Sequence, residues 1–220
     1  MPWAAEVILV EVTAAEATFS TTVGSQEIEL PLVEVAPEIS IALLICVDHG
    51  VGFAEKAGAE LAELLRPFDV DIVASVATMG IPLAIEVTRA LGLDDYVILH
   101  KTPKIHLADA VAEPVRSITT DAEQRLLFDR ARIAAVAGKR VAVVDDVIST
   151  GGSSRAALNL IRRIGGDPVV FGALLTEGWQ WREVLGEDVE KVRTLGAIPI
   201  FRHRPDGSLE EDWGPGAPWD

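Results

Sequence analysis

One segment, Arg140-Val-Ala-Val-Val-Asp-Asp-Val-Ile-Ser-Thr-Gly-Gly-Ser153, constrains the fold of this chain more than any other. Val141–Val144 is apolar without alternation, which reads as a strand buried on both faces. From Ser153 to Ile164 the apolar spacing becomes that of an amphipathic helix, closed by Gly165-Gly166. A strand with two apolar faces needs cover on both sides. The segment therefore predicts an α/β fold, a parallel sheet flanked by helices.

The rest of residues 51–204 supports that architecture. The spacing predicts helices over Phe53–Leu65, Ile81–Leu91 (with Pro82 in its first turn), Asp121–Val136 and most of Trp179–Leu195. It predicts strands over Val70–Val76, Tyr96–His100, Arg140–Asp146, Val169–Leu175 and Ile198–Phe201. Lys101–Thr120 reads as a long irregular stretch, and such stretches in compact domains are usually functional or disordered. Residues 1–50 have another texture. Val7–Val12, Ala17–Val23, Ile28–Val35 and Ile39–Val47 are short β-branched runs punctuated by Gly24-Ser25, Pro31 and Pro37. They predict a β-rich N-terminal segment, a lobe serving as hood or dimer contact. Residues 205–220, rich in Gly, Pro and acids, are expected to be a flexible acidic tail.

The chemistry concentrates where the buried strand ends. Asp145 and Asp146 emerge at its carboxyl end, the edge at which open α/β sheets bind ligands. Two adjacent carboxylates there suffer desolvation and mutual repulsion, so they need a purpose. Accepting hydrogen bonds from a sugar diol, or facing hydrated Mg²⁺ through water, would supply one. Ser149, Thr150, Gly151, Gly152 and Ser153 then offer hydroxyls, close backbone approach and the free N–H groups of a helix start, which is a monophosphate cradle. A diol grip and a phosphate cradle on one strand–loop–helix unit describe a ribose 5-phosphate. There is no Gly-Lys-Ser/Thr of a P-loop and no GxGxxG dinucleotide fingerprint.

Val143–Ser153 resembles the PRPP-binding signature of type I phosphoribosyltransferases, and the resemblance extends over roughly residues 50–202. It implies that family's fold, with a small hood lobe over the site. It also implies 5-phosphoribosyl 1-pyrophosphate (PRPP) and a nucleobase as substrates, Mg²⁺ as cofactor, and a homodimer. Ala77, Thr78, Met79 and Gly80 lie where the family places its pyrophosphate loop. His100-Lys-Thr-Pro-Lys-Ile-His106 looks like the start of the mobile catalytic loop. On that reading Lys101 and Lys104 meet the departing pyrophosphate, and His106 is a further phosphate donor. Lys104–Thr119 and Leu174–Gly178 resemble the xanthine phosphoribosyltransferase and purine-repressor branch, and Gly80-Ile-Pro-Leu-Ala with the Asp-Asp…Thr-Gly-Gly pattern resembles adenine phosphoribosyltransferases, which implies a purine, adenine first and xanthine or guanine next; the Lys-x-x-Lys-x-His spacing also resembles orotate phosphoribosyltransferases. For the base itself, Glu177 and Trp179 follow the next strand, where Glu177 could accept from an exocyclic amine and Trp179 could stack. His49, His100 and His203 have no ligand-like spacing.

Charge narrows the partners. The net charge is −15, with 19 Lys+Arg against 34 Asp+Glu. Residues 1–55 hold nine acids and no base, and residues 205–220 hold five acids and no base. The middle is nearly balanced. No basic face is available for nucleic acid, and no basic helix for a membrane surface. The N-terminus has neither a signal-peptide n-region nor a transit-peptide bias, and the apolar runs are too short to span a bilayer. Cys46 is the single cysteine, so an internal disulfide is excluded. These features predict a cytoplasmic protein, and the resemblance implies an enzyme of nucleotide salvage. The alternatives are an orotate-type enzyme and a PRPP-sensing regulatory protein without turnover.

Overall fold

The computed structural model describes residues 17–103, 109–115 and 124–215. The expected strand Val7–Val12 lies outside them.

The chain opens with three antiparallel strands, β1 (Thr18–Val23), β2 (Gln26–Ala36) and β3 (Ile39–Ala42), and a 3-10 turn over Cys46–His49. Next come α1 (Gly50–Leu65), β4 (Ile72–Val76), α2 (Gly80–Ala90) and β5 (Tyr96–Leu99). A two-stranded arm, β6 (Val111–Val115) and β7 (Gln124–Phe128), leads to the single helical turn α3 (Ile133–Val136). The last part runs β8 (Arg140–Ile148), α4 (Gly152–Arg163), β9 (Asp167–Glu177), α5 (Gln180–Leu185), β10 (Val192–Ile198), β11 (Ile200–His203) and β12 (Leu209–Asp212).

The main sheet is parallel, with order β10-β9-β8-β4-β5. β8 lies at its centre and explains the two-sided cover. Ala142 and Val144 point into one core with Leu61, Leu65, Leu83 and Val87, on the α1–α2 side. Val141 and Val143 point into the other with Leu158, Ile161, Phe128 and Val136, on the α4 side. Alternate residues of one apolar strand thus serve opposite cores. From β4 the chain moves outward to β5, and from β8 it moves the other way to β9 and β10. The order reverses between β4 and β8, and a crevice opens at their carboxyl ends.

The second sheet is antiparallel, with order β1-β2-β3-β11-β12. It is fastened to the main body by a hydrogen bond from Gly24 N–H to the Leu195 carbonyl, 3.1 Å. The Ser25 amide and hydroxyl also donate to the Glu60 carboxylate of α1.

Four expectations are corrected. Of the helix expected over Asp121–Val136, the described residues form a strand, β7, then a 3-10 turn over Arg130–Arg132 and the single turn α3. Leu126 and Phe128 alternate inward against α4 while β7 pairs with β6, so tertiary pairing overrides the helical spacing. The expected helix Trp179–Leu195 ends at Leu185, and Val192–Ile198 pairs with β9 as the edge strand of the main sheet. The acidic tail is, at Leu209–Asp212, a strand paired with β11 and held by Arg202–Asp212 at 2.5 Å and Arg204–Glu210 at 2.8 Å. The irregular stretch likewise contains β6.

Candidate active site

The crevice between β4 and β8 is a cleft of about 240 Å³. Ala77, Thr78 and Met79 form one wall, following β4. Asp145 and Asp146 form the floor, on β8. Ser149, Thr150, Gly151 and Ser153 form the opposite wall, and Lys101 overhangs from the end of β5. Four segments far apart in sequence converge here because parallel strands all deliver their carboxyl ends to one edge. Val76, Val147 and the buried Ser154 complete the lining.

Each wall is built by a strand-to-helix turn. Gly151 has φ of 81°, a left-handed conformation that glycine adopts without strain. It turns the chain so that α4 begins with first-turn N–H groups that have no intrahelical partner. On the other wall α2 begins at Gly80, after a cis Ala77–Thr78 peptide. A side chain at Gly80 would place Cβ 2.2 Å from Ser75 Oγ and 2.8 Å from Asp145 Oδ1. The helix start is therefore pressed against the floor carboxylate, with no room for a methyl group. Two helix N-termini then face one cleft, an arrangement suited to a ligand carrying two anionic groups.

Asp145 is buried, and its Oδ1 accepts the Asp146 amide at 3.1 Å. Burial first, and then the negative charge of Asp146, push its carboxyl well above the ordinary aspartate range; the Lys101 ammonium acts in the opposite sense. Ser75, wholly buried below Gly80, has a hydroxyl with no hydrogen-bond partner among the described residues. Sequence reasoning passed over Ser75 because one serine in the apolar run Ile72–Val76 gives no pattern. The signal for Ser154 was its place beside Ser153 at a helix start.

Lys101 stands in the cleft as expected. Lys104 and His106 lie outside the described residues. Glu177 and Trp179 are not on the cleft wall. Glu177 ends β9 as a buried carboxylate and accepts a hydrogen bond from the Ser149 hydroxyl. Burial raises its pKa, and the hydrogen bond opposes that. The Trp179 ring lies against the backbone of Gly214. Beside the cleft is an apolar groove of about 300 Å³ lined by Cys46, Val47, Val51, Ala54, Ile81 and Pro82. Burial and then the charge of Asp146 push the Cys46 thiol up to about 11. Among the described residues, no cluster of three or more His, Cys, Asp or Glu could hold a metal alone. Mg²⁺ does not need one, since it is commonly held by one or two carboxylates together with substrate phosphates. Asp145 and Asp146 fit that donor set.

The family model of the phosphoribosyl transferase domain matches residues 52–193, the span that builds both cleft walls. The chain belongs to the phosphoribosyltransferase family. An adenine phosphoribosyltransferase of Thermobifida fusca is 38% identical over 139 residues, 63% of this chain and 74% of that one. A transcriptional regulator of Methanosarcina barkeri is 33% identical over 161 residues, 73% of this chain and 61% of the regulator. Among solved structures, the adenine phosphoribosyltransferase of Rhodothermus marinus superposes with a TM-score of 0.64 at 25% identity, covering 77% of this chain and 94% of that one. The expected type I phosphoribosyltransferase fold, a flanked parallel sheet with a β-rich lobe, is the one observed. Among the described residues no helix is long and apolar enough to cross a membrane.

Proposed function

We propose that this phosphoribosyltransferase catalyses Mg²⁺-dependent transfer of the 5-phosphoribosyl group from PRPP to a purine nitrogen, adenine first and xanthine or guanine next, in nucleotide salvage. One observation carries the reading: a single cleft holds two helix-start anion cradles with a carboxylate pair between them. PRPP has that layout, a diol between a phosphate and a pyrophosphate.

In the reaction the C1–O bond to pyrophosphate breaks with its electron pair, a C1–N bond forms, and the base nitrogen loses its proton to solvent. Positive charge grows on the ribose and negative charge on the leaving group, so catalysis rests on electrostatic placement. Asp145 and Asp146 hold the diol next to the growing positive charge. Thr150, Ser153 and the first-turn N–H groups of α4 take the 5-phosphate. Ala77–Gly80 receives the pyrophosphate, with Lys101, and with Lys104 and His106 of the adjoining segment. Asp145 and Asp146 would hold Mg²⁺ together with the substrate phosphates, where it would supply charge neutralisation. Closure over the cleft would exclude water and limit PRPP hydrolysis. The apolar groove flanked by the exposed Val47 and Val51 supplies surface for a homodimer. The acidic composition fits a cytoplasmic enzyme without nucleic-acid or membrane partners.

The test is pyrophosphate release from PRPP with Mg²⁺ and each of adenine, guanine, hypoxanthine, xanthine, orotate and uracil. The variant carrying Asp145→Asn and Asp146→Asn should lose turnover while keeping its fold; near-normal activity would overturn the role of the pair. The regulator relative favours a second reading, a PRPP sensor. That reading predicts PRPP binding without turnover of any base.

A further inference from the structure

We infer that Ser149 is a specificity-determining residue that accepts a hydrogen bond from the nucleobase, and that Glu177 is the positioning residue that makes it an acceptor. The inference rests on the transferase reading above. It removes Ser149 from the phosphate cradle and gives it to the base.

The register of the sheet brings the two together. β8 and β9 are parallel, and Ile148 pairs with Thr176, so Ser149 and Glu177 occupy the next rung. Glu177 is 5% exposed. The hydrogen bond from the Ser149 hydroxyl is the one its carboxylate receives among the described residues. An ionised carboxylate only accepts, and a serine hydroxyl has a single proton. With that proton committed to Glu177, Ser149 Oγ presents only lone pairs to the cleft it lines. A phosphate oxygen facing it would set lone pair against lone pair. The phosphate is left to Thr150, Ser153 and the N–H groups at the start of α4. What Ser149 can recognise is a donor. On PRPP the donors are the ribose hydroxyls, which Asp145 and Asp146 claim. The remaining donors belong to the base.

Adenine and hypoxanthine share a ring system; at position 6 adenine carries an amine donor where hypoxanthine carries a carbonyl acceptor, and at N1 adenine accepts where hypoxanthine donates. An acceptor at Ser149 that faces position 6 favours the amine. A buried carboxylate one hydrogen bond behind it also disfavours an anionic base such as orotate. Ser149 is half-buried, and mismatching such an acceptor corresponds to about tenfold in discrimination.

The experiment measures kcat/KM for adenine and for hypoxanthine, together with the KM for PRPP, in the wild-type protein and in Glu177→Gln, Ser149→Ala and the double variant. The wild type should prefer adenine. In Glu177→Gln the amide NH₂ can donate to Ser149 Oγ and release the serine proton toward the cleft, so the preference should shrink about tenfold. Ser149→Ala should shrink it similarly, the double variant should add nothing further, and the KM for PRPP should stay within about twofold throughout. A raised KM for PRPP in Ser149→Ala with an unmoved adenine-to-hypoxanthine ratio would show that Ser149 is a phosphate ligand and overturn the inference. So would a wild type that prefers hypoxanthine. PRPP bound by the wild type without turnover of any base would overturn the transferase reading, and this inference with it. That outcome is distinguishable from an enzyme that uses adenine with a ratio no variant moves.

Discussion

The molecule carries carboxylates in two settings. Along β2 and its turn, Glu27, Glu29, Glu34 and Glu38 are exposed. At the carboxyl end of the parallel sheet, Asp145 and Glu177 are buried and Asp146 is half-buried. Glu27 and Glu29 follow from the two-residue period of a strand whose other face packs inward through Leu30, whereas Glu34 stands at the register shift that ends β2 and Glu38 in the turn beyond it. Water solvates these acids, and they bear little on the fold. The second set is desolvated, and Asp145 is also repelled by Asp146, so that pair is unfavourable until a ligand arrives. The number of acids therefore says little about this protein. Their location separates a solubilising surface from a site.

The comparison is broken most severely at the contact that fixes the floor carboxylate. In Gly80→Ala the new methyl must displace Ser75 Oγ or Asp145 Oδ1, because both lie inside its contact distance. A displacement of about 1 Å in catalytic geometry can cost 10²-fold in rate. We expect kcat/KM to fall about 100-fold, with a stability loss of about 1–3 kcal/mol from overpacking. Steady-state kinetics and urea denaturation read the two effects. Activity within twofold of wild type would show that this contact does not hold Asp145.

The next effect is on stability and has the opposite sign. Asp145 binds its proton more tightly folded than unfolded, since its pKa is raised well above the ordinary 3.8. The favourable contribution is then fully present below the unfolded pKa and is lost as pH rises through the folded one. Ligand-free Asp145→Asn has no such loss. At pH 8 it should melt higher than wild type, by about 2–4 °C for each kcal/mol of relieved desolvation, and the gap should narrow on acidification. Calorimetry at several pH values checks this. A variant that melts lower at pH 8 would mean that Asp145 is already compensated without ligand.

The same contrast explains what was legible in the sequence. Asp145, Asp146 and the turn 149–153 could be read because a charged pair and a Ser-Thr-Gly-Gly run are conspicuous after four apolar residues. The parallel sheet could be read because its strands have no polar face. The hairpin strand Gln124–Phe128 could not, because Leu126, Leu127 and Phe128 satisfy a helical stripe as well as a strand, and only pairing with β6 decides. β12 was hidden by its acids, Glu210, Glu211 and Asp212, which read as a solvated tail. Arg202 and Arg204, on and just after β11, make that edge tolerable. The link between Ser149 and Glu177 spans 28 positions and rests on the β8–β9 register, which spacing along the chain does not reveal.

The smallest effect concerns the exposed acids. Glu27→Gln together with Glu34→Gln removes two negative charges from a chain of net −15. Both residues are exposed on β2, Glu27 on the face opposite Leu30 and Glu34 at the register shift, and surface substitutions of this kind usually stay within about 0.5 kcal/mol. At physiological salt the Debye length is about 8 Å, so charges on this sheet are screened from the cleft beyond that distance. The melting temperature should shift by less than about 2 °C, and the KM for PRPP should not change measurably. Lowering the salt to about 0.01 M lengthens the screening distance to about 30 Å. If the acidic face then repels the incoming anion, the variant should gain on PRPP association at low salt and lose that gain as salt is restored. A KM that differs from wild type at physiological salt would mean that the two sets of acids act on the ligand together, and the separation between surface and site would fail.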